Sequence, residues 1–157
     1  MSVEVWCKPD ISAGSYWTSR GGKRAGFVLH HGTFSFAMGV EGNYWQQLLS
    51  FDGYTTNAGP KIDNNKWAHL VFVWSGFTGR FFVNGVEVVP KFGTFKLSGV
   101  TKGAWIRIFL GTHYWNPGSG YSRSFNGLIG ELAYYNYPLS EKEIRTNLEK
   151  GKAKYSD

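Results

Sequence analysis

The sequence predicts an all-β fold, a sandwich of antiparallel sheets closed by one short C-terminal helix, on three observations. The stretch from Lys66 to Val89, KWAHLVFVWSGFTGRFFVNGVEVV, reads as strands joined by tight turns. Aromatic residues make up 18% of the chain and glycine occurs 21 times, so large flat side chains alternate with frequent turn positions, as many short strands require. Helix-start chemistry is concentrated near the C-terminus, at Ser140. At 157 residues the chain fits one domain, 1–157, large enough to bury about 70% of the surface its unfolded form would expose.

Taken in order, Val3, Val5 and Cys7 alternate with Glu4, Trp6 and Lys8 in a first strand that Pro9-Asp10 ends. Ile11 to Gly26 is a polar, Gly-rich loop with one short strand inside it, around Tyr16-Trp17. Phe27 to His31 and Thr33 to Val40 form a hairpin broken at Gly32, with Phe34, Phe36 and Met38 on one face and one face wet. Tyr44 to Asp52 is a further strand. Tyr54 to Asn65, with its Ala-Gly-Pro and Asp-Asn-Asn, reads as a polar connection.

The central meander follows. Trp67 to Trp74 carries apolar side chains at both parities, so it must be covered on both sides and belongs in the middle of a sandwich rather than at an edge. Arg80 to Val83 runs back, Asn84-Gly85 supplies the two positive-φ residues of a type I′ turn, and Val86 to Val89 pairs with it. Pro90 to Lys102 is weakly patterned. Trp105 to Leu110 is a strand, and Gly111 to Ser124, GTHYWNPGSGYSRS, is the longest loop, unusually rich in aromatics for a connector. Asn126-Gly127 opens a last long strand, Leu128 to Tyr135.

The helix is expected over about 140–150. Ser140 is its N-cap, Glu143 at N3 completes a capping box, and Leu139 staples Ile144. Gly151 is placed to cap its end, leaving a polar tail over 151–157.

The net charge of +6 favours negatively charged partners without choosing among them. Lys142, Arg145, Lys150, Lys152 and Lys154 suit a helix end and a solvated tail, and Arg20, Lys23 and Arg24 form a second basic group. The single Cys7 rules out an intrachain disulfide and sits in an apolar alternating stretch, as a buried thiol does. No apolar run approaches the roughly 18 residues of a membrane-spanning helix, so no membrane partner is expected. The N-terminus enters a strand without a charged-then-apolar leader, so any export signal is expected outside this sequence. No nucleic-acid module pattern is present despite the basic balance.

Two blocks together carry a resemblance. Trp67-x-His69 precedes an apolar strand, Asn84-Gly85-Val86 makes a hairpin, and Gly111 ends a strand. Phe125-Asn126-Gly127 then leads through Glu131 to Leu139-Ser140-x-x-Glu143-Ile144. With Val3-Glu4-Val5-Trp6-x-Lys8-Pro9 as first strand, this order resembles the laminin-G-like domains of the concanavalin A-like superfamily. The resemblance implies a jelly roll of two packed antiparallel sheets and a module of a larger protein, extracellular or on a particle or cell surface. Relatives include carbohydrate-binding modules, lectins, adhesion modules and some glycan-cleaving enzymes, and they often hold a structural calcium between loops. Asp52, Asp63 or Glu131 would supply its hard oxygen ligands here, and no other cofactor is required. The chain departs from the family's pattern at Gly130 and Asn84, where Asp is usual, which weakens any carry-over of a metal ligand.

Glycoside hydrolysis needs two carboxyl groups roughly 5 to 9.5 Å apart, most simply supplied by acids at i and i+2 or i+4 on a strand. No such pair occurs. Glu4, Asp52, Glu87 and Glu131 stand alone in sequence, and Glu141 and Glu143 belong to the helix start, so no catalytic residue is assigned. A lyase using His and Tyr against Arg stays open through His30, His31, His69, His113, Tyr114 and Arg107. Sugar receptors set an aromatic plane under the C–H face of the ring and polar groups at its rim. The 111–124 loop joins those types in His113, Tyr114, Trp115, Asn116 and Tyr121. Tyr44 with Trp45, Trp17 with Arg20, and Tyr54 are candidates to meet it. The sequence therefore predicts a non-catalytic module for a polysaccharide or other glycan, with an anionic glycan as a refinement. The alternative is a surface-structural or protein-interaction domain of a virion, tail fibre or adhesin.

Overall fold

A computed structural model describes residues 1–10, 24–31, 34–41, 43–50, 54–75, 78–88, 106–109, 112–114 and 122–156. The short strand expected around Tyr16-Trp17 and the stretch from Pro90 to Lys102 lie outside the described residues. In chain order the strands are β1 (Ser2–Pro9), β2 (Arg24–His31), β3 (Phe34–Glu41), β4 (Tyr44–Ser50), β5 (Tyr54–Lys61), β6 (Ala68–Ser75), β7 (Thr78–Val83), β8 (Val86–Glu87), β9 (Ile106–Phe109), β10 (Thr112–Tyr114), β11 (Ser122–Ser124) and β12 (Gly127–Tyr135), followed by helix α1 (Glu141–Lys154). The chain divides into two compact units: Met1–Pro9, Asp63–Ser98 and Gly127–Asp157 in one, Asp10–Ile62 and Gly99–Asn126 in the other. Among the described residues no helix is long and apolar enough to cross a membrane.

The first unit is a five-stranded antiparallel sheet of order β12-β1-β6-β7-β8. β1 lies between β6, with Trp6 opposite His69, and β12, with Ser2 opposite Tyr135. Gly130 is the extra residue of a bulge in β12, between the partners of Trp6 and Cys7. Both parities of β6 are buried, as its sequence requires: Leu70 and Phe72 on one face, Val71 and Val73 on the other. Val71, Val73 and Phe82 form a core cluster with Leu139 and Ile144, so the expected hydrophobic staple also fastens α1 to the sheet. Asn84 and Gly85 take φ of 50° and 75°, as the type I′ turn requires. The meander does not stay central, however. It starts in the middle at β6 and ends at the sheet's edge, where β8 keeps only Val86 and Glu87 and Val86 is 70% exposed.

The capping box is present: Ser140 Oγ accepts from the Glu143 N–H at 3.3 Å, and Glu143 Oε2 accepts from the Ser140 N–H at 2.7 Å. The helix runs past its expected end at 150, and residues 151–154 are its last turn rather than a tail. Gly151 is inside it, and the Tyr155 N–H closes on the Gly151 carbonyl at 2.8 Å. A side chain at 151 would overlap the Trp6 indole, so this glycine serves the close approach of α1 to β1 and not a cap. Tyr155 then stacks on Trp6 at 5.1 Å and meets Trp67 at 4.6 Å.

The second unit is a five-stranded antiparallel sheet of order β5-β4-β3-β2-β9, with β10 and β11 as a two-stranded ribbon beside β2. The hairpin β2–β3 is as expected. Tyr54 to Asn65 is not a mere connection, because its first eight residues form edge strand β5. Tyr54, Thr55 and Thr56 are good strand formers, and an edge tolerates Pro60 near the strand's end. Gly59 suits the bulge beside Trp45, whose carbonyl would lie 3.0 Å from an added Cβ. Met38, Val40 and Trp45 share a buried face, while Tyr44 on the opposite face is 49% exposed.

Candidate functional site

Gly111 to Ser124 is not a structureless loop. Its two arms pair as β10 and β11, setting Thr112 opposite Ser124, His113 opposite Arg123 and Tyr114 opposite Ser122. β9 runs from the partner of His31 to the partner of Val28, so the chain leaves it toward the end of the sheet where Arg24, Glu41, Tyr44 and Lys61 stand in one cross-strand row. The ribbon beside β2 and the exposed ring of Tyr44 thus belong to one unit and one direction of its sheet. Trp115, Asn116 and Tyr121, between the two arms in sequence, lie outside the described residues, as do Trp17 and Arg20.

Two other expected members separate from this group. Trp45 is 2% exposed and offers no ring face to a ligand, because successive strand residues point to opposite faces and Tyr44 takes the outer one. Tyr54 pairs with Ser50 while Tyr44 pairs with Lys61, so the two tyrosines stand at opposite ends of β4–β5, about 20 Å apart along the strands.

The first unit also holds a buried polar network, which no single stretch of the sequence singles out. Glu4 is 6% exposed and His69 is fully buried. Glu4 Oε1 accepts from His69 Nε2 at 2.8 Å, and Glu4 Oε2 accepts from the Tyr135 hydroxyl at 3.0 Å and from Asn147 Nδ2 at 2.8 Å. Burial alone would push the Glu4 carboxyl up, but the His69 hydrogen bond and attraction, with the Asn147 and Tyr135 bonds, hold it below the usual carboxylate range. Burial and then the Glu4 charge push Tyr135 up to about 12. With Nε2 donating, His69 Nδ1 is left buried without a hydrogen-bond partner. The His69 backbone N–H donates to Asn84 Oδ1 at 2.8 Å, which couples the network to the turn. The one available clue was a carboxylate at a core-like strand position, which must find a partner. His69, offered above for a lyase, has no surface on which to meet a substrate.

Among the described residues no three His, Cys, Asp or Glu side chains gather as metal ligands. Glu131 is engaged by Lys154 at 3.0 Å and by the Tyr155 hydroxyl at 3.4 Å. Asp63 is exposed, and Asp52 lies outside the described residues.

A family profile for the concanavalin A-like lectin/glucanases superfamily, of laminin G type, matches residues 1–145. The chain belongs to this family. The two five-stranded antiparallel sheets and the C-terminal helix of the described residues are those of a concanavalin A-like jelly roll, as the sequence predicted. No curated protein matches the concanavalin A-like chain significantly. Solved structures do resemble it. Domain 4 of an extracellular arabinanase from Geobacillus stearothermophilus, solved with arabinotriose, superposes with a TM-score of 0.65 at 23% identity, over 94% of this chain and 65% of that one. A heptameric SAP-like pentraxin of Limulus polyphemus gives 0.63 at 19% identity, over 94% and 68%. Trypanosoma rangeli sialidase gives 0.66 at 16%, over 99% of this chain but 23% of the enzyme. At these identities the likeness is one of fold, and the fold is shared by binding domains and by parts of enzymes.

Proposed function

We propose that this domain is a non-catalytic carbohydrate-binding module, recognising a glycan at the end of the second sheet toward which the β10–β11 ribbon extends. The observation that supports this most is the ribbon's register. It sets His113 and Tyr114 level with Arg123 and Ser122, and the sequence that joins these two arms contains Trp115, Asn116 and Tyr121. Aromatic planes with amide, imidazole and guanidinium groups close by are what a sugar's apolar face and hydroxyl rim call for. Tyr44 adds an exposed ring on the same sheet, whereas Trp45 and Tyr54 drop out of this site. The carboxylate–imidazole pair of Glu4 and His69 is closed inside the first unit, which favours binding over chemistry.

The arabinanase domain solved with arabinotriose supports the same reading, and suggests a module of a larger extracellular protein. A structural calcium remains part of the proposal, with Asp52, Asp63 or Glu131 as its oxygen donors. A melting temperature unchanged by a chelator would remove it.

The test is a glycan array followed by calorimetry of Trp115→Ala and Tyr44→Ala. Binding of a defined glycan, weakened tenfold or more by Trp115→Ala, is the expected result. If no glycan binds, or both variants bind like the parent, the module reading fails at this site. A protein-interaction role is the second reading, favoured by the edge strand β12, where Leu128 and Ile129 are 59% and 39% exposed. Retention of a protein partner with no dependence on added sugar would support it.

A further inference from the structure

The two edges of the first sheet differ. β8 is two residues long and is bordered by the Arg80–Glu87 ion pair at 2.6 Å. Short strands and charges of this kind stop a sheet from growing. β12, the other edge among the described residues, runs for nine residues, Gly127–Tyr135, and contains neither lysine nor proline. Its single charge, on Glu131, is met by Lys154 of the same chain at 3.0 Å. Leu128 is 59% exposed, Ile129 39% and Tyr134 44%. Leu128 and Ile129 pair with consecutive residues of β1, Lys8 and Cys7, so they stand on opposite faces of the sheet. A helix or a second sheet laid on one face would cover only one of them. A strand added along the edge reaches both, because its own side chains alternate between the two faces.

We infer that this edge takes a second copy of the same chain, β12 against β12, antiparallel about a two-fold axis at Leu132. The register with β1 decides the alignment. Tyr134, Leu132 and Ile129 stand opposite Val3, Val5 and Cys7, so these three share one face. Tyr135 and Leu128 stand opposite Ser2 and Lys8, so they share the other. Gly130 is passed over in the pairing with β1. Passed over again, it lets a two-fold at Leu132 set Ala133 opposite Glu131, Tyr134 opposite Ile129 and Tyr135 opposite Leu128 of the other copy, each pair on one face. Every exposed large apolar side chain of β12 thereby meets an apolar partner. An axis at Ala133 would set Ile129 and Leu128 against Asn136 and Tyr137, past the end of the strand, and an axis at Glu131 would bring two carboxylates face to face. With Glu131 held by Lys154, the joint buries no uncompensated charge, although the chain as a whole carries +6. A joint of this length buries on the order of 1,000 Å² in total, at the low end for a specific interface, so the dimer is a weak and concentration-dependent one. It gives the β12 edge, the basis of the protein-interaction reading, a definite occupant, and it does not depend on glycan binding.

Sedimentation velocity on the full chain, from about 5 µM to about 500 µM, tests this with Ile129→Lys and Tyr134→Glu, alone and mixed. The parent is expected to show a monomer–dimer equilibrium with a dissociation constant on the order of tens of micromolar. Each variant alone is expected to dissociate roughly tenfold or more readily, since its introduced charge meets an apolar side chain twice in the dimer. Mixed in equal amounts, the two should recover dimer. The introduced ammonium and carboxylate then face each other in one of the two symmetry-related pairs, while the second pair keeps Tyr134 against Ile129. Circular dichroism melting checks that the variants fold. Should Ile129→Lys not fold, Leu128→Lys, at the more exposed position, takes its place and is expected to weaken the dimer to the same degree. A parent that stays monomeric at the highest concentration, a dimer that the substitutions leave intact, or a mixture no more dimeric than its components would overturn the inference. Glycan affinity measured on the monomeric Ile129→Lys variant reports separately on the carbohydrate-binding reading.

Discussion

His69 Nε2 lies 2.8 Å from Glu4 Oε1 across neighbouring strands, and the two side chains are shut away from water. Removing either partner strands the other in the interior. His69→Ala is expected to cost about 3 kcal/mol in urea unfolding, because it leaves the Glu4 carboxylate buried without its ion-pair partner. A loss within half a kcal/mol would show that the pair is not closed as described.

The same pair sets an acid limb to stability. Glu4 is held below its usual range in the folded state, so it adds stability above its unfolded value and loses it as pH falls through the folded one. The melting temperature should therefore decline as pH drops below about 4, and Glu4→Gln should flatten that decline. An identical acid limb in parent and variant would assign the effect elsewhere.

Gly151 separates two explanations of one residue. As an ordinary helix glycine it would gain about 1 kcal/mol on replacement by alanine. Its backbone instead abuts the buried Trp6 indole, and Gly151→Ala is expected to destabilise the fold. Combining it with Trp6→Leu should recover part of the loss, since the clash needs both partners.

Asn84 does two things at the β7–β8 turn. It adopts φ of 50°, and its side chain accepts from the His69 backbone N–H at 2.8 Å. Asn84→Ala should cost about 2 kcal/mol, from the left-handed backbone and the lost bond together. Asn84→Gly removes the first cost and keeps the second, so it should fall between parent and alanine.

Cys7 is fully buried, and its thiol is pushed far above the ordinary range by that burial. It is expected to resist alkylation in the native state at pH 8, with a labelling rate that rises with urea in step with unfolding. Rapid labelling of the folded chain would contradict the buried position of β1.

Trp45 and Tyr44 should part company in the same way that their faces do. Trp45→Ala is expected to cost about 3–5 kcal/mol of stability. Tyr44→Ala should leave the melting temperature within a degree or two of the parent and act, if the proposed site is right, on glycan affinity.

Features that rest on a few consecutive residues were legible in the sequence. Asn84-Gly85 and the Ser140–Glu143 box carry their own chemistry, and both are present as expected. Features decided by a distant partner were not. β5 becomes a strand because β4 offers it an edge, and the arms of the 111–124 segment pair with each other. Gly151 looks like a helix stop until Trp6, far away in sequence, is set beside it. Glu4 and His69 are 65 residues apart, so neither could announce the other. Pairing Tyr44 with Trp45 as one site overlooked the two-residue period of a strand, which the sequence itself contained.

The position of β1 also governs how the chain reaches its fold. Its neighbours are β6, in the middle of the sequence, and β12, so that Ser2 must find both Val73 and Tyr135. Pairings across such separations carry loop-closure entropy before they return any contact energy, and they place the domain among slow folders, on a scale of milliseconds to seconds. During synthesis the first strand emerges long before its last partner. One edge of an apolar strand then stays open until residue 135 has appeared, a burden that falls on the folding chain rather than on the finished structure.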